Sequence, residues 1–225
     1  MFLGHNGVAF AIKRVAPEIS LTALFAAVQA PDLIWPALLV AGVEKVEPMK
    51  GPNGFLNLEF LSYPYSHSLL GTVILGGLFG LIWRALAKGR SWQGTGILAL
   101  AVVSHWILDC ITHVPDLPLT ISGDAKVGLG MWNSVPATLI VELLVFGGGV
   151  LLYARQTRPK SRSGSVALWL FVALMLLIYL GNVLGPPPPS SEAVAYVGFS
   201  AWLLVAWAYW MDRTRPIRPR VEPSG

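Results

Sequence analysis

The stretch Thr95–Ile111 reads TGILALAVVSHWILDCI, and most of its side chains are apolar. Its length is close to the roughly 20 residues that an α-helix needs to cross a lipid bilayer. His105 and Asp109 are its only residues of the His, Asp, Glu, Lys or Arg types. Because ionisable groups at such a depth are costly, they indicate a functional site by default. The stretch therefore predicts a membrane-spanning helix that carries polar chemistry.

Similar apolar segments recur along the chain. They are Ile19–Val43, Ser68–Ala87, Val135–Ala154, Val166–Leu184 and the slightly weaker Ala193–Met211. The stretch Phe2–Ile12 is too short to span, which predicts a half-helix that is buried in the bundle or lies in the interface. The chain is 54% hydrophobic and 12% charged, about half the charged fraction of soluble domains. We expect an all-α, polytopic transmembrane bundle of about six spanning helices plus this half-helix.

Lysine and arginine residues are distributed unevenly between the linkers. Counted alternately, the linkers place 13 of the 16 on one side, and the other side holds Lys45, Lys50 and Lys126. By the positive-inside rule, both chain ends face the cytoplasm, and the long linkers Glu44–Ser66 and Val114–Ser134 face outward. We therefore attribute the net charge of +4 to membrane topology and expect no nucleic-acid partner.

His105, Asp109 and His113 follow one another at positions i, i+4 and i+8, which lie along one face of a helix. A His and an Asp one turn apart can hold a divalent ion such as Zn²⁺. Alternatively, the Asp can orient a ligating imidazole, or the residues form a polar stripe that only bonds neighbouring helices. Cys110 is the single cysteine, which excludes a Cys-rich metal site.

His67 lies in the sequence PYSHS, at the outer end of the second predicted span. By the assigned topology, Asp109 and His113 lie at the same membrane face. The pattern therefore predicts that His67 meets this pair. The structural alternative is a helix-capping segment that contains an interfacial histidine.

Asp32 and His5 are predicted to reach the same region from the N-terminal side. Asp32 lies in the middle of the first apolar segment, where Pro31 removes a backbone donor and disturbs the helix. An unpaired carboxylate at that depth is costly, and a cation is the simplest partner for it. His5 reaches the depth of Asp32 if the N-terminal half-helix is anchored by Lys13 and Arg14; otherwise it lies on a flexible terminus.

Glu142 is the only charged residue inside Val135–Ala154. Three roles fit its position: a metal ligand, a general base, or a protonated hydrogen-bonding group. Asp116 and Asp124 lie in the second outer linker, where they either reach the site or remain solvated.

The order of these motifs resembles that of a bacterial family of LexA-binding, inner-membrane-associated, metal-dependent hydrolases. The matching motifs are Gly4-His5, Pro31-Asp32, Ser66-His67-Ser68 and His105-x-x-x-Asp109. The family is regarded as a distant relative of zinc-dependent phospholipase C and P1-type nucleases. In those soluble helical enzymes, His and Asp residues hold zinc that activates water against a phosphodiester.

The resemblance covers residues 1–155 and implies that the motif residues bind a divalent metal, in the first instance Zn²⁺. The implied ligands are His5, Asp32, His67, His105 and Asp109, to which the helical spacing adds His113. Glu142 and Asp109 are the predicted catalytic residues. The location implied is the bacterial cytoplasmic (inner) membrane, with membrane lipids as partners. Outside the resemblance, residues 156–212 are predicted to form two further spans, and 213–225 a basic, disordered tail near anionic lipid.

These residues support three functions. The first is a membrane-embedded hydrolase that acts on a phosphoester or lipid-linked substrate through a metal-activated water, at a site toward the outer face. The second is a proton- or metal-ion-coupled transporter. The third is a non-catalytic scaffold. A metal site requires the implied ligands to converge, whereas a scaffold predicts that they contact separate neighbours.

Overall fold

The computed structural model describes residues 1–49, 57–86 and 89–218. As predicted for the all-α class, helices dominate: α1 (Leu3–Val15), α2 (Leu21–Val28), α3 (Ala30–Val40), α4 (Pro64–His67), α5 (Leu69–Ala85), α6 (Trp92–Thr112), α7 (Val135–Gln156), α8 (Arg162–Leu184), α9 (Ser191–Gly198) and α10 (Ala201–Thr214). Two short antiparallel hairpins lie in the long linkers. They pair β1 (Lys45–Pro48) with β2 (Leu58–Ser62), and β3 (Leu117–Pro118) with β4 (Lys126–Val127).

Within the described residues, four helical stretches are long and apolar enough to cross a membrane, namely α6, α7, α8 and the stretch Ser191–Thr214 that contains α9 and α10. Helices α2 and α3 are long and apolar enough only when they are taken together, and they are bent by 51°. They form a fifth span if the bent pair crosses the membrane as one unit. Helix α5 is apolar but has only 17 residues. The expected count of about six spans is therefore not confirmed, although four or five apolar helices are compatible with a membrane protein.

The break between α2 and α3 falls at Gln29, two residues before Pro31. Proline lacks an N–H group and its ring crowds the preceding turn, so the disturbance predicted from the sequence occurs here. The break leaves the Val28 carbonyl available to accept a hydrogen bond from His105 Nδ1, at 2.7 Å. Asp32 follows in the first turn of α3. The broken helix therefore brings a carboxylate and a carbonyl toward α6.

Helix α1 is the predicted half-helix, and most of its first turns are buried in the bundle. Its 13 residues reach only about 20 Å. It packs closely on α7, where Gly7 meets Gly149: a Cβ atom on Gly149 would lie 2.1 Å from the Gly7 carbonyl oxygen. Only glycine permits this approach of the two backbones. The close packing carries His5, in the first turn of α1, into the interior.

Aromatic side chains fill the centre of the bundle one to two turns below His5. The ring of Phe10 lies 5.1 Å from that of Phe25 and 5.0 Å from that of Tyr153, and Phe171 packs against both phenylalanines. These rings come from α1, α2, α7 and α8. The polar residues described below therefore lie at one end of an apolar core.

The first residues of the predicted disordered tail are ordered. Ile217 forms an isolated β-bridge with Thr157, and the backbone N–H of Arg218 donates to the Gln156 carbonyl at 2.8 Å. The buried Arg215 side chain donates to Thr157 Oγ1. The remainder of the predicted tail, residues 219–225, lies outside the described residues.

Candidate metal centre

Five of the predicted ligands converge in two overlapping groups. One group contains His5, His105 and Asp109, and the other contains Asp32, His67 and His105. Within each group, one ligand atom from every residue lies within 4.8 Å of the others. The three histidines and Asp109 are buried, and Asp32 is partly exposed. The polar residues of four separate helices thus face a common centre instead of separate neighbours.

The spacing of the ligand atoms matches the edges of a metal coordination sphere. Asp109 Oδ1 lies 3.1 Å from His5 Nε2, and its Oδ2 lies 3.1 Å from His105 Nε2. Asp32 Oδ1 lies 3.2 Å from His67 Nε2 and 3.7 Å from His105 Nε2. Ligand atoms bound to tetrahedral zinc at its usual bond lengths are about 3.3 Å apart. These four contacts are therefore close to the spacing that a bound ion would impose.

The orientation of His105 suits the binding of a cation. Its Nδ1 donates to the Val28 carbonyl, which places the ring proton on that nitrogen and leaves the Nε2 lone pair free. Among the described residues, this buried Nε2 has no hydrogen-bond partner, although it faces the carboxylates of Asp32 and Asp109. A lone pair beside two anions repels them, because all three groups are acceptors. A metal ion or an additional proton would turn each of these contacts into an attraction.

His5 is held in place by stacking and by its helix. Its ring is parallel to that of His105, with centroids 3.7 Å apart. The same carboxylate of Asp109 that faces both imidazoles also contacts the amino group of Met1. His5 Nδ1 is buried, and no described residue forms a hydrogen bond with it. Stacking therefore fixes the plane of the ring, and its Nε2 remains directed at Asp109.

His67 is oriented by two residues for which the sequence predicts no such role. Its Nδ1 lies 2.6 Å from Ser66 Oγ, and Ser66 Oγ donates to Glu44 Oε2 at 2.6 Å. Glu44 is a buried carboxylate between α3 and β1. In the sequence, Glu44 is an acidic residue at the end of an apolar segment. An exposed residue at the membrane interface would have the same sequence context. No sequence signal distinguishes the two cases.

Glu142, one of the two predicted catalytic residues, does not join either group. Its carboxylate accepts hydrogen bonds from the backbone N–H groups of Phe2 and Gly4, each at 3.0 Å. These are unpaired donors at the start of α1, whose N-cap residue supplies no side-chain bond. Glu142 therefore caps α1 and holds the turn that contains His5.

His113 is also outside both groups. Helix α6 ends at Thr112, and His113 has extended backbone angles, so the helical spacing no longer applies to it. Its Nδ1 lies 2.9 Å from Asp116 Oδ1, which also accepts a hydrogen bond from the Tyr63 hydroxyl at 2.9 Å. Burial lowers the pKa of His113, and burial together with Asp116 raises the pKa of Tyr63. Of the two linker carboxylates, Asp116 binds His113 and Asp124 is exposed.

A cavity of about 260 Å³ adjoins both groups. Its polar wall includes Asp32, His67, His105, Asp109 and His113. The opposite wall is largely apolar and comes from α8, α9 and α10, with Met175, Ile178, Val197 and Leu204 among its residues. The two C-terminal segments that the family resemblance leaves unexplained thus enclose the candidate site.

Comparisons with known proteins found no match to this chain. It matches no family model, no curated protein and no solved structure. The family assignment made from the motifs therefore stays a prediction.

Proposed function

We propose that the protein is a membrane-embedded, metal-dependent hydrolase whose centre is formed by His5, Asp32, His67, His105 and Asp109. The proposal rests above all on the buried Nε2 of His105, which faces two carboxylates and has no hydrogen-bond partner in the part of the chain that the structure describes. Zn²⁺ binds imidazole nitrogen and carboxylate oxygen at distances that suit this arrangement.

Charge balance favours a divalent ion over a proton between Asp32, Asp109 and His105. The carboxylates of Asp32 and Asp109 converge, and the described residues that line the cavity include no Lys or Arg. The amino group of Met1 contacts Asp109, and His67 Nε2 lies within hydrogen-bonding distance of Asp32. Among the described residues, the Nε2 of His105 between the two carboxylates is still without a partner. One additional proton would satisfy a single acceptor, and unpaired buried charge is costly. A divalent ion engages both carboxylates and the free nitrogens together.

The shared histidine limits how many ions the centre can hold independently. His105 belongs to both groups, yet its Nε2 has a single lone pair and can bind one ion. The two groups therefore do not act as separate sites. We favour one ion that takes its ligands from both groups, with His105 at the junction.

When bound, a divalent ion lowers the pKa of coordinated water toward 7 and so supplies a nucleophile. Asp109 presents both of its oxygens to imidazoles. Asp32 is the more accessible carboxylate, with a side chain 36% exposed, and it faces the cavity. We assign to Asp32, rather than to Asp109 or Glu142, the acceptance of a proton from the attacking water.

The cavity supports an amphiphilic substrate. Its polar wall carries the His and Asp residues, whereas the opposite wall from α8 and α10 offers apolar side chains such as Ile178 and Leu204. A phosphoester or another hydrolysable group on a lipid or lipid-linked compound would place its polar part at the centre. Its apolar chain would contact α8 and α10.

We further propose that the site faces outward from the bacterial cytoplasmic membrane, with both chain ends in the cytoplasm and α5 completing six spans. His67 directly follows the first long linker, and His113 directly precedes the second, just after the end of α6. Arg84 and Arg155 lie in the last turns of α5 and α7, toward the opposite end of the bundle. Because Lys and Arg concentrate in cytoplasmic loops, this division supports the proposed orientation.

Metal analysis of the detergent-purified full chain, prepared without chelator, tests the proposal. We expect about one zinc-type ion per chain in the wild type and a substoichiometric amount in His105→Ala, because the shared ligand is lost. His113→Ala is the matched control and should retain the metal, since His113 belongs to neither group. A wild-type protein that binds no Zn²⁺, Mn²⁺ or Co²⁺ even after dialysis against each ion would refute the proposal.

Transport is the second candidate, and the bend between α2 and α3 favours it. Broken helices near the middle of the bilayer form ion sites in many transporters, and here the 51° bend lies beside Asp32. Reconstituted vesicles distinguish the two functions. Uptake of Zn²⁺ or protons that Asp109→Asn abolishes would establish transport, whereas release of phosphate or headgroup from vesicle phospholipid would establish hydrolysis.

A further inference from the structure

Glu44 is a buried carboxylate that binds four atoms of one short segment, directly or through one hydroxyl group. Its Oε1 accepts hydrogen bonds from the backbone N–H groups of Tyr65 and Ser66, at 2.8 and 2.9 Å. Its Oε2 accepts a hydrogen bond from Ser66 Oγ at 2.6 Å. Ser66 Oγ in turn contacts His67 Nδ1 at 2.6 Å. Glu44, Ser66 and His67 thus form a hydrogen-bonded chain that leads to the metal centre, which we call the Glu44 relay.

The direction of every hydrogen bond in the Glu44 relay follows from its first member. A carboxylate only accepts, so the Ser66 hydroxyl donates its single proton to Glu44. Ser66 Oγ must then act as acceptor toward His67, which places the ring proton of His67 on Nδ1. In the neutral ring, the Nε2 of His67 then keeps its lone pair, 3.2 Å from Asp32 Oδ1.

We propose that Glu44 is a positioning residue that selects, through Ser66, the His67 tautomer that binds metal. The inference rests on the proposed metal-dependent function and names a residue that controls the same site from outside it. Ligating histidines commonly donate their second ring N–H to a carboxylate or another acceptor, which fixes the ring and strengthens it as a ligand. In this protein a serine transmits that effect over one additional hydrogen bond.

Glu44 has a second, purely structural task that the test must separate from the first. Helix α4 begins at Pro64, and its N-cap residue Tyr63 supplies no side-chain hydrogen bond. Oε1 of Glu44 caps this helix in its place, since it binds the unpaired N–H groups of Tyr65 and Ser66. The cap uses one carboxylate oxygen and the relay uses the other, so substitutions can affect them separately.

Glu44→Gln is the decisive variant. The glutamine carbonyl oxygen can still cap α4, but its NH₂ group now faces Ser66 Oγ as a donor. Ser66 then accepts from Gln and donates to His67 Nδ1, which reverses the relay and moves the ring proton of His67 to Nε2. A protonated Nε2 cannot bind metal. We expect metal affinity to fall by about 10- to 100-fold, as for other outer-shell partners, and to approach the affinity of His67→Ala.

Ser66→Ala gives a graded comparison. It removes the hydroxyl that connects Glu44 to His67 while both backbone bonds of the α4 cap remain possible. No group then imposes the wrong tautomer, so we expect a smaller loss of metal affinity than in Glu44→Gln. Glu47→Gln is the matched control, because this exposed residue of β1 undergoes the same chemical change three positions away and should leave affinity unchanged.

Two measurements on the full chain in detergent micelles test the inference. Titration with Co²⁺ gives affinity and a visible spectrum that reports the ligand set, and ¹⁵N chemical shifts of labelled histidine report the His67 tautomer without metal. We expect an Nδ1–H tautomer in the wild type and an Nε2–H tautomer in Glu44→Gln. If the tautomer, the spectrum and the affinity are unchanged in Glu44→Gln, the positioning role of Glu44 is wrong, but the proposed metal-dependent function is not affected. Failure of the wild type to bind Co²⁺ would instead overturn the proposed metal-dependent function, and the positioning role would fall with it.

Discussion

Two buried polar clusters lie at opposite ends of the helical bundle, and they differ in how their charges are matched. At the basic end, Lys13 Nζ lies 3.8 Å from Asp212 Oδ1 and donates to the Pro17 carbonyl at 3.0 Å. Asp212 Oδ2 accepts from the backbone N–H and the hydroxyl of Thr22, at 2.9 and 3.0 Å. Donors meet acceptors throughout this cluster, and a cation meets an anion.

At the other end, His5 Nε2 and His67 Nε2 lie within hydrogen-bonding distance of Asp109 and Asp32. The Nε2 of His105 faces both carboxylates, yet it has no hydrogen-bond partner among the described residues. The Lys13–Asp212 cluster is complete as it stands, whereas the His/Asp cluster requires a further positive charge. Buried polar groups alone therefore do not indicate a metal site. Converging ligands that have too few hydrogen-bond donors among them do indicate one.

Asp109→Asn should produce the largest contrast between the two clusters. The substitution removes a carboxylate that contacts two imidazoles, so metal affinity should fall by more than about 100-fold, beyond the range for outer-shell partners. Asp212→Asn, the same change at the basic end, should leave affinity unchanged. Competition with a fluorescent zinc chelator measures both values. Equal affinities for Asp109→Asn and the wild type would remove Asp109 from the centre.

Asp32→Asn and Asp212→Asn should change the stability of the metal-free protein in opposite directions. In Asp32→Asn, the introduced amide can donate to the imidazole nitrogens that now face a carboxylate, so thermal unfolding in detergent should occur at higher temperature. Asp212→Asn leaves Lys13 without its counter-ion and should cost about 1–3 kcal/mol, below the range for fully buried pairs because Asp212 is partly exposed.

A loss of stability in both variants would contradict this difference between the clusters. It would mean that Asp32 is already matched by a donor in the metal-free state. The measurement therefore tests the shortage of donors directly, without reference to any substrate.

Glu142→Gln should have the smallest effect, because Gln keeps an oxygen that can accept from the first N–H groups of α1. Loss of the charged cap should lower the free energy of unfolding by about 1 kcal/mol, within the range for N-cap residues. Metal affinity should fall only slightly, through the position of His5. If Glu142 were instead the general base predicted from the sequence, hydrolysis would slow by about 10²- to 10⁴-fold. Parallel measurements of stability and phospholipid hydrolysis separate the two outcomes.

Much of the candidate site is predictable because its residues stand out locally. His105 and Asp109 are one turn apart in an apolar stretch, and that spacing survives in α6. Pro31 marks the break that brings Asp32 inward, and the short length of α1 lets His5 lie inside the bundle instead of crossing it. Each of these inferences depends on helical geometry within a single segment.

The positions of His113, Glu142 and Glu44 could not be predicted from the sequence, because they depend on contacts between different segments. Spacing puts His113 on the face of Asp109, but α6 ends one residue earlier and His113 turns to Asp116. Glu142 stands out as the only charge in its helix, yet its carboxylate serves α1. Glu44 does not stand out, because its partners Tyr65 and Ser66 lie more than 20 residues away.

The amino-acid sequence by itself determined the all-α class, the apolar segments and a set of candidate ligands that contains the five converging residues, because hydrophobicity and helical spacing act within one segment. Only the tertiary structure decided which donor meets which acceptor. Hydrogen bonds act over about 3 Å, so a role such as that of Glu44 depends on how α3, α4 and α6 are packed together. The shortage of donors around His105, which is the strongest indication of a metal, is likewise a property of the packed bundle.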